Sequence, residues 1–482
     1  MPPDASPSPL ANRYRPILHY SPATGFMNDP NGLIHVHGVY HLYYQHNPDA
    51  PVAGNVHWGH ATSPDLIHWQ EQPLALFPDA RGQAFSGSMI WDGANRSGLF
   101  PPGRGGMAAL FTRAGPARQA QDLAYAATGD AQALSLFSGN PVLDEASDSF
   151  RDPKVFWHAP TQRWIMVVAH ARRHEIGFYR STNLRDWQHS SSFGHAGVLG
   201  LDYECPDLVE LPVEGGGSRW VLFISINPGA PTGGSAMQYF VGHFDGQTFT
   251  AQDQATRLLD AGQDFYAMQT FANTPGRVVC LAWMNNWLYC NATPAYPARG
   301  AMTLPRELSL RQHEDHWYVV QRLPDLGRWA RDSGLQKRWH HAVNGLIATV
   351  PWSSRHALDI TASGQLAPGS RLRLRLSNTY GECLEAGLDN GTYPGFYIDR
   401  SGVRGFDHPF WNHKAVLHAL HGPLQHFDCR IVIDQCSIEM LGMQGESAGT
   451  MLHFFDQAPE QLEVWLENGH WQNGQLQIQH IS

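Results

Sequence analysis

The sequence is poor in charge. Asp, Glu, Lys and Arg make up 16% of its 482 residues, and acidic residues outnumber basic ones 43 to 33. The net charge of −10 argues against nucleic acid or an anionic membrane surface as partner. Long apolar runs are missing too, and no stretch approaches the roughly 20 residues that span a bilayer. The opening MPPDASPSPLANRYRP lacks a basic segment followed by an apolar one, so it does not read as a secretory leader. A cytoplasmic protein is expected, or a secreted or periplasmic one whose leader has been removed. Cysteine is scarce. The six cysteines (205, 280, 290, 383, 429 and 436) lack CxxC spacing and read as free thiols, neither a disulfide framework nor a zinc site. The 27 histidines include no HExxH pattern, and pairs such as His57 and His60 stand isolated. No metal and no cofactor is expected.

Turn formers and aromatics are plentiful. With 47 Gly, 33 Pro and 11% aromatic residues, the composition points to a β-rich chain. Its length points to two domains.

The first two-thirds repeats a loose unit in which a polar motif opens, a hydrophobic strand follows and an aromatic-bearing turn closes. Ser-x-x-Leu-x-x-Trp occurs at both Ser63–Trp69 and Ser181–Trp187. Openers at Asp29, Ser86, Asp152, Glu204 and Asp264 are spaced by about 50 to 65 residues, the scale of a four-stranded propeller blade. Five blades follow, and four acidic openers would converge on one central funnel. After about residue 325 the pattern changes. LPDLGRWARDSGLQKRW reads as a short helical connector, and RLRLRLSNTY, CRIVIDQCSIEML and QLEVWLENG as alternating strands of a β-sandwich. The expected organisation is an N-terminal extension (1–13), a propeller (14–325), a connector (326–340) and a sandwich (341–482). The fold class is therefore all-β: a five-bladed β-propeller followed by a C-terminal β-sandwich.

Three openers carry the chemistry expected of a glycosidase, which needs two carboxyl groups with opposed duties. FMNDPNG sets Asp29 in a turn-forming run at the head of a strand. FRDP places Arg151 beside Asp152, and an adjacent arginine keeps a carboxylate ionised, which suits charge stabilisation. YECPD sets Glu204 among apolar neighbours, surroundings that favour the protonated form a general acid needs.

NDPNG, RDP and EC, in this order and each opening a repeat, resemble glycoside hydrolase family 32, the β-fructofuranosidase family of invertases, levanases and exo-inulinases. YQHNP, HWGHATSPDLIHW, FSGS, NPGAPTGGS, DFYAMQTF and LPRELSL extend the likeness along nearly the whole chain. The resemblance implies a retaining, exo-acting enzyme that releases terminal fructose from sucrose or fructans through a covalent fructosyl-enzyme. In that scheme Asp29 is the nucleophile, Glu204 the acid/base and Asp152 the transition-state stabiliser. Asn28, Gln45, Phe85, Ser86 and Arg151 would line the fructose pocket, with Asp264, Tyr266 and Trp283 as further nominees from the fifth blade.

Two positions depart from the family. Phe26 stands where a Trp usually precedes Met-Asn-Asp-Pro-Asn-Gly, and Ala53 replaces a Trp eight residues after Gln45. Both bear on the side that receives the leaving sugar. A fructosyltransferase of the same fold and an inactive fructan-binding protein are the alternatives. An inverting arabinan-type hydrolase fits the combined motifs less well. Linkage preference, the balance of hydrolysis over transfer and the oligomeric state are left open by the sequence.

Overall fold

The computed structural model describes residues 12–126, 134–331, 334–418 and 426–482. The expected N-terminal extension lies outside the described residues except for Asn12 and Arg13. Five antiparallel sheets form a propeller, and a ten-stranded sheet forms the C-terminal domain. The blades open with strands Gly25–Val36, Gln83–Asp92, Phe150–His158, Asp202–Pro212 and Tyr266–Thr270.

The hydrophobic runs of the repeats are central blade strands buried on both faces. In Arg163–His170, Trp164, Met166 and Val168 pack against blade 2, while Ile165, Val167 and Ala169 pack against blade 4. In Gly106–Ala114, Met107, Ala109 and Phe111 face blade 1, and Ala108 and Leu110 face blade 3. Comparable cores join blade 4 to blade 5 and blade 5 to blade 1. The ring closes through Ala298–Arg299, which runs parallel to Gly25 and Phe26, and through Ala272, whose backbone bonds to Leu33 and His35. The repeated Ser-x-x-Leu-x-x-Trp builds the same turn twice. Leu66 and Leu184 are both left-handed (φ 70° and 64°), and each carbonyl accepts the following Trp indole N–H at 3.0 Å.

All five opening strands lose register with the next strand at one level. The breaks fall between Met27 and Pro30, Ala84 and Gly87, Arg151 and Lys154, Glu204 and Asp207, and Tyr266 and Gln269. These are β-bulges, which bend a strand and re-aim its side chains. In blade 5 the bulge holds Ala267 and Met268, so Asp264 lies before the opening strand and not at the level of the other openers.

The C-terminal domain wraps one core between two halves of its sheet. Its 21-residue final strand, Gln461–Ile481, pairs first with Arg371–Ser377 and then with Ala357–Leu366. RLRLRLS alternates as expected: Leu372, Leu374 and Leu376 enter the core, and Arg371 and Arg373 pair outside with Asp389, Glu385 and Glu467. The connector departs from expectation. A short 3-10 turn at Gly327–Trp329 is followed by a strand, Leu335–Pro351, because that segment pairs along the final strand and packs Trp339 on Trp471. Among the described residues no helix is long and apolar enough to cross a membrane.

Buried charges cross the domain interface. His19 bridges Asp434 (2.8 Å) and Glu439 (2.9 Å), and Arg306 joins Glu439 (2.5 Å) to Asp260 (2.9 Å). Burial alone would lower the His19 pKa, but the hydrogen bonds and charges of Asp434 and Glu439 outweigh it and raise it to about 9. Glu439 is held down at about 2, where Arg306 and His19 outweigh its desolvation. The His19 contribution to stability is complete below its ordinary value of 6.5 and lost as pH rises through about 9. That of Glu439 is present above about 4.5 and lost as pH falls towards 2. Removing one partner of such a pair costs about 3–5 kcal/mol. Thermal unfolding of His19→Gln should therefore show a lower Tm at pH 6 than the parent protein. The gap should narrow by pH 9.5, and a gap that stays constant with pH would show that His19 is not charged in the folded state.

Candidate active site

The opening strands bring side chains from all five blades to one end of the channel. Asp29 is 8% exposed; its Oδ2 accepts from Ser86 Oγ at 2.7 Å and its Oδ1 from Asn28 Nδ2 at 3.0 Å. Gln45 Nε2 donates to Ser86 Oγ at 2.7 Å and fixes the hydroxyl that serves Asp29. Phe85 shares the Ser86 bulge, and its carbonyl accepts the Trp58 indole N–H at 3.0 Å. Burial raises the Asp29 pKa, as does the charge of Glu204, while the bonds from Ser86, Asn28 and Cys205 oppose them.

Asp152 is left-handed (φ 67°), and its N–H donates to Thr112 Oγ1 at 2.9 Å. Its Oδ2 accepts the Cys205 N–H at 2.9 Å. The Cys205 thiol lies between the two acids, 3.4 Å from Asp29 Oδ2 and 3.5 Å from Asp152 Oδ2. Burial pushes Asp152 up; Arg151 opposes this and the charges of Glu204 and Asp29 add to it.

Glu204 is the most open of the three acids. Its Oε1 accepts from Arg151 Nε at 3.1 Å, and Tyr266 OH donates to its Oε2. Two expectations need correction here. Arg151 is the sequence neighbour of Asp152, but its guanidinium reaches across to Glu204 and Asp202, and the net effect on Asp152 is a raised pKa. The Glu204 carboxyl is not among apolar side chains: Tyr203 points into the blade core, and Arg151 and Tyr266 flank the carboxyl itself.

Beneath the acids the channel is plugged. Lys154 Nζ bonds to Asp207 Oδ2 (2.8 Å) and to the carbonyl of Thr270 (2.7 Å), joining blades 3, 4 and 5. Ser88 Oγ donates to the Pro153 carbonyl at 2.9 Å and ties blade 2 to blade 3. These bonds tie blades 2, 3, 4 and 5 together across the channel.

Of the residues nominated from sequence, Asn28, Asp29, Gln45, Ser86, Arg151, Asp152, Glu204 and Tyr266 meet in this cluster through the bonds described, and Phe85 adjoins it. Asp264 does not. It is fully buried at the domain interface, where Arg400 (2.8 Å), the Leu452 N–H (2.8 Å) and Tyr289 OH (2.5 Å) occupy both carboxylate oxygens. Trp283 is also fully buried, behind the site among Phe26, Tyr266 and Trp287. Sequence reasoning passed over three neighbours of the cluster: Asp202, Cys205 and Trp287. Asp202 was legible as the residue two before Glu204, on the same strand face. Trp287, partly exposed beside Ala53, follows the strand that ends at Trp283.

An all-β propeller with carboxylates gathered at one end of its channel fits a glycoside hydrolase. A family model for the glycosyl hydrolases family 32 N-terminal domain matches residues 19–322. Levanase from Bacillus subtilis is 36% identical over 473 residues, covering 95% of this chain and 68% of its own. Invertase from Debaryomyces hansenii is 34% identical over 483 residues, covering 93% and 90%. Among solved structures, exo-inulinase from Aspergillus awamori superposes with a TM-score of 0.90 at 30% identity, over 97% of this chain and 98% of that one. The β-fructofuranosidase from Schwanniomyces occidentalis, complexed with fructosyl-erythritol, gives 0.89 at 32% identity over 98% of both. The chain belongs to glycosyl hydrolase family 32, the β-fructofuranosidase family.

Ser86→Ala removes a donor from a buried carboxylate, a bond worth about 1.5–3 kcal/mol. Because that bond holds the Asp29 pKa down against burial, the acidic limb of the kcat/KM profile should move to higher pH. A limb that stays in place would show that Ser86 does not govern the ionisation of Asp29.

Proposed function

We propose that this protein is a retaining, exo-acting β-fructofuranosidase that releases terminal fructose from sucrose, inulin or levan. The observation that carries the reading is the pairing of unlike carboxyls around Cys205. Asp29 is enclosed and fixed by two donors, as a nucleophile attacking the anomeric carbon must be. Glu204, one residue before Cys205, is open enough to exchange a proton with water, as an acid/base must. Asp152, enclosed and held by the Cys205 N–H, suits hydrogen bonding to fructose hydroxyls as positive charge develops. Attack by Asp29 with proton delivery from Glu204 would give a fructosyl-enzyme. Water activated by Glu204 would then release fructose with retained configuration. The bonds that cross the channel beneath the acids support exo action, since a fructan chain cannot thread past them. Relatives named levanase, invertase and exo-inulinase support sucrose and fructans as substrates.

At the mouth, Phe26 is only 1% exposed and offers no face to a second sugar. Trp287, whose ring lies 6.4 Å from that of Phe26 and which packs on the same core as Ala53, is a partly exposed aromatic there. A sugar stacked on such a face gains on the order of 1 kcal/mol.

Chromatography of products from sucrose, inulin and levan tests the reading: free fructose alone is expected from the polymers, and short oligosaccharides would overturn exo action. Asp29→Ala should abolish attack on every fructoside. Glu204→Ala should cost about 10²–10⁴-fold in kcat/KM on sucrose but far less on an activated fructoside whose leaving group needs no proton. Equal losses on both would remove Glu204 from the acid role. Ala53→Trp should change the ratio of kcat/KM between sucrose and fructans while leaving Tm within about 2 °C; an unchanged ratio would place residue 53 away from the leaving sugar.

A further inference from the structure

A line of alternating charge runs from the surface into the site. Arg172, in the turn Ala171–Arg173, has a half-exposed side chain and forms an ion pair with Asp202 Oδ1, out of hydrogen-bond alignment. Asp202 Oδ2 accepts from Arg151 NH2 at 2.7 Å, and the same NH2 lies 3.0 Å from Glu204 Oε1. Asp202 and Glu204 are two residues apart on the opening strand of blade 4, so both reach the Arg151 guanidinium that projects from blade 3. The other groups around the Glu204 carboxyl are Tyr266, Asp29, Asp152 and Cys205, none of which touches Arg151 through a hydrogen bond. Arg151 has one further partner, Gln119 at 3.4 Å, a long contact to a neutral group.

We infer that Asp202 is a positioning residue for the acid/base, holding Arg151 so that its Nε and NH2 fix the Glu204 carboxyl towards the leaving-group oxygen, with Arg172 steadying Asp202 from outside. The inference rests on the proposed role of Glu204. An arginine with several staggered side-chain torsions keeps one pose beside a carboxylate when a second acceptor also holds its guanidinium. Asp202 supplies that tie through a charged bond in a semi-enclosed setting, where such bonds are strongest. Without it, Arg151 can follow Glu204 or swing to solvent, and the proton is delivered from a spread of orientations. Attack by Asp29 needs none of this.

The test compares kcat/KM on sucrose and on an activated fructoside for Glu204→Ala, Asp202→Ala, Asp202→Asn and Arg172→Gln. Glu204→Ala comes first and examines the parent reading: a large loss on sucrose with a small loss on the activated substrate upholds it, and equal losses end it. With that in hand, Asp202→Ala should lose between about 10- and 100-fold on sucrose, below the full contribution of the acid, and less than about 3-fold on the activated fructoside. Asp202→Asn keeps an acceptor for Arg151 and should recover most of the loss. Arg172→Gln, a change at an exposed side chain that leaves the core intact, should reproduce the same selectivity at a few-fold. Equal losses of Asp202→Ala on both substrates, or a sucrose rate within 2-fold of the parent protein, would overturn the inference. No rescue by Asn at an unchanged Tm would overturn it as well.

Discussion

In a regular strand consecutive side chains point to opposite faces, so an opening strand can present only alternate residues to the channel. The double-residue bulge, made at one level in all five opening strands, removes that limit. It brings Asn28, Asp29, Ser86 and Asp152 into the cluster, together with Arg151, Glu204 and Tyr266 from just before the breaks. Asp152, Cys205 and Ala267 adopt positive φ there, at a cost of about 1–2 kcal/mol each. Proline follows the acid or its neighbour at 30, 153 and 206; with no N–H of its own, it leaves no donor stranded where the ladder is broken. The N–H groups that the bulges free are put to use. That of Cys205 goes to Asp152 and that of Asp152 to Thr112, so the irregular backbone itself orients the acids.

Burial and charge then divide the three carboxyls. Taking a carboxylate out of water costs several kcal/mol, and each charged hydrogen bond returns about 1.5–3. Asp29, with Ser86 and Asn28 on separate oxygens, recovers most of that cost. Asp152 has the Cys205 N–H on one oxygen and no arginine bonded to it, and burial raises its pKa in spite of the nearby Arg151 charge. Arg151 is instead committed to Glu204 and Asp202. Arg151 therefore bonds to the most open of the acids and reaches Asp152 through its charge alone.

Much of this was legible in the sequence. The repeat spacing, the apolar runs of strands buried on both faces and the Ser-x-x-Leu-x-x-Trp turn specify the propeller, because each reflects local packing. The acids of NDPNG, RDP and EC stand out for the same reason, since an acid next to proline at a strand head is a local signal for a bulge. What escaped depends on side-chain reach across blades. Adjacency in FRDP suggested that Arg151 serves Asp152, but neighbours on a strand diverge, and a long arginine finds its partners 51 and 53 residues away. The helical look of the connector failed similarly. Its residues carry no pattern strong enough to resist pairing with the 21-residue final strand.

Asp264 is the instructive error, because its position explains why a second domain without acids of its own at the mouth belongs to this enzyme. The segment from Asp260 to Asp264 lies along Ser447–Leu452 of the sandwich. Ala261 N–H bonds to the Ala448 carbonyl at 2.8 Å, Asp264 N–H to the Thr450 carbonyl at 3.1 Å, and the Asp260 carboxylate accepts the Thr450 N–H at 2.8 Å. Arg400 and the Leu452 N–H hold the Asp264 carboxylate. Two residues later comes Tyr266, the hydroxyl donor to Glu204. Blade 5 has the shortest opening strand of the five, and its first residue carries a site hydroxyl. Short strands fray at their ends, and the segment before Tyr266 is held from two sides. Asn286 and Tyr289 bond to Gln263 and Asp264 from within the propeller, and the sandwich adds buried backbone bonds and a fully buried ion pair. The acidity that marked Asp264 as a site residue is spent on fixing the strand that delivers Tyr266.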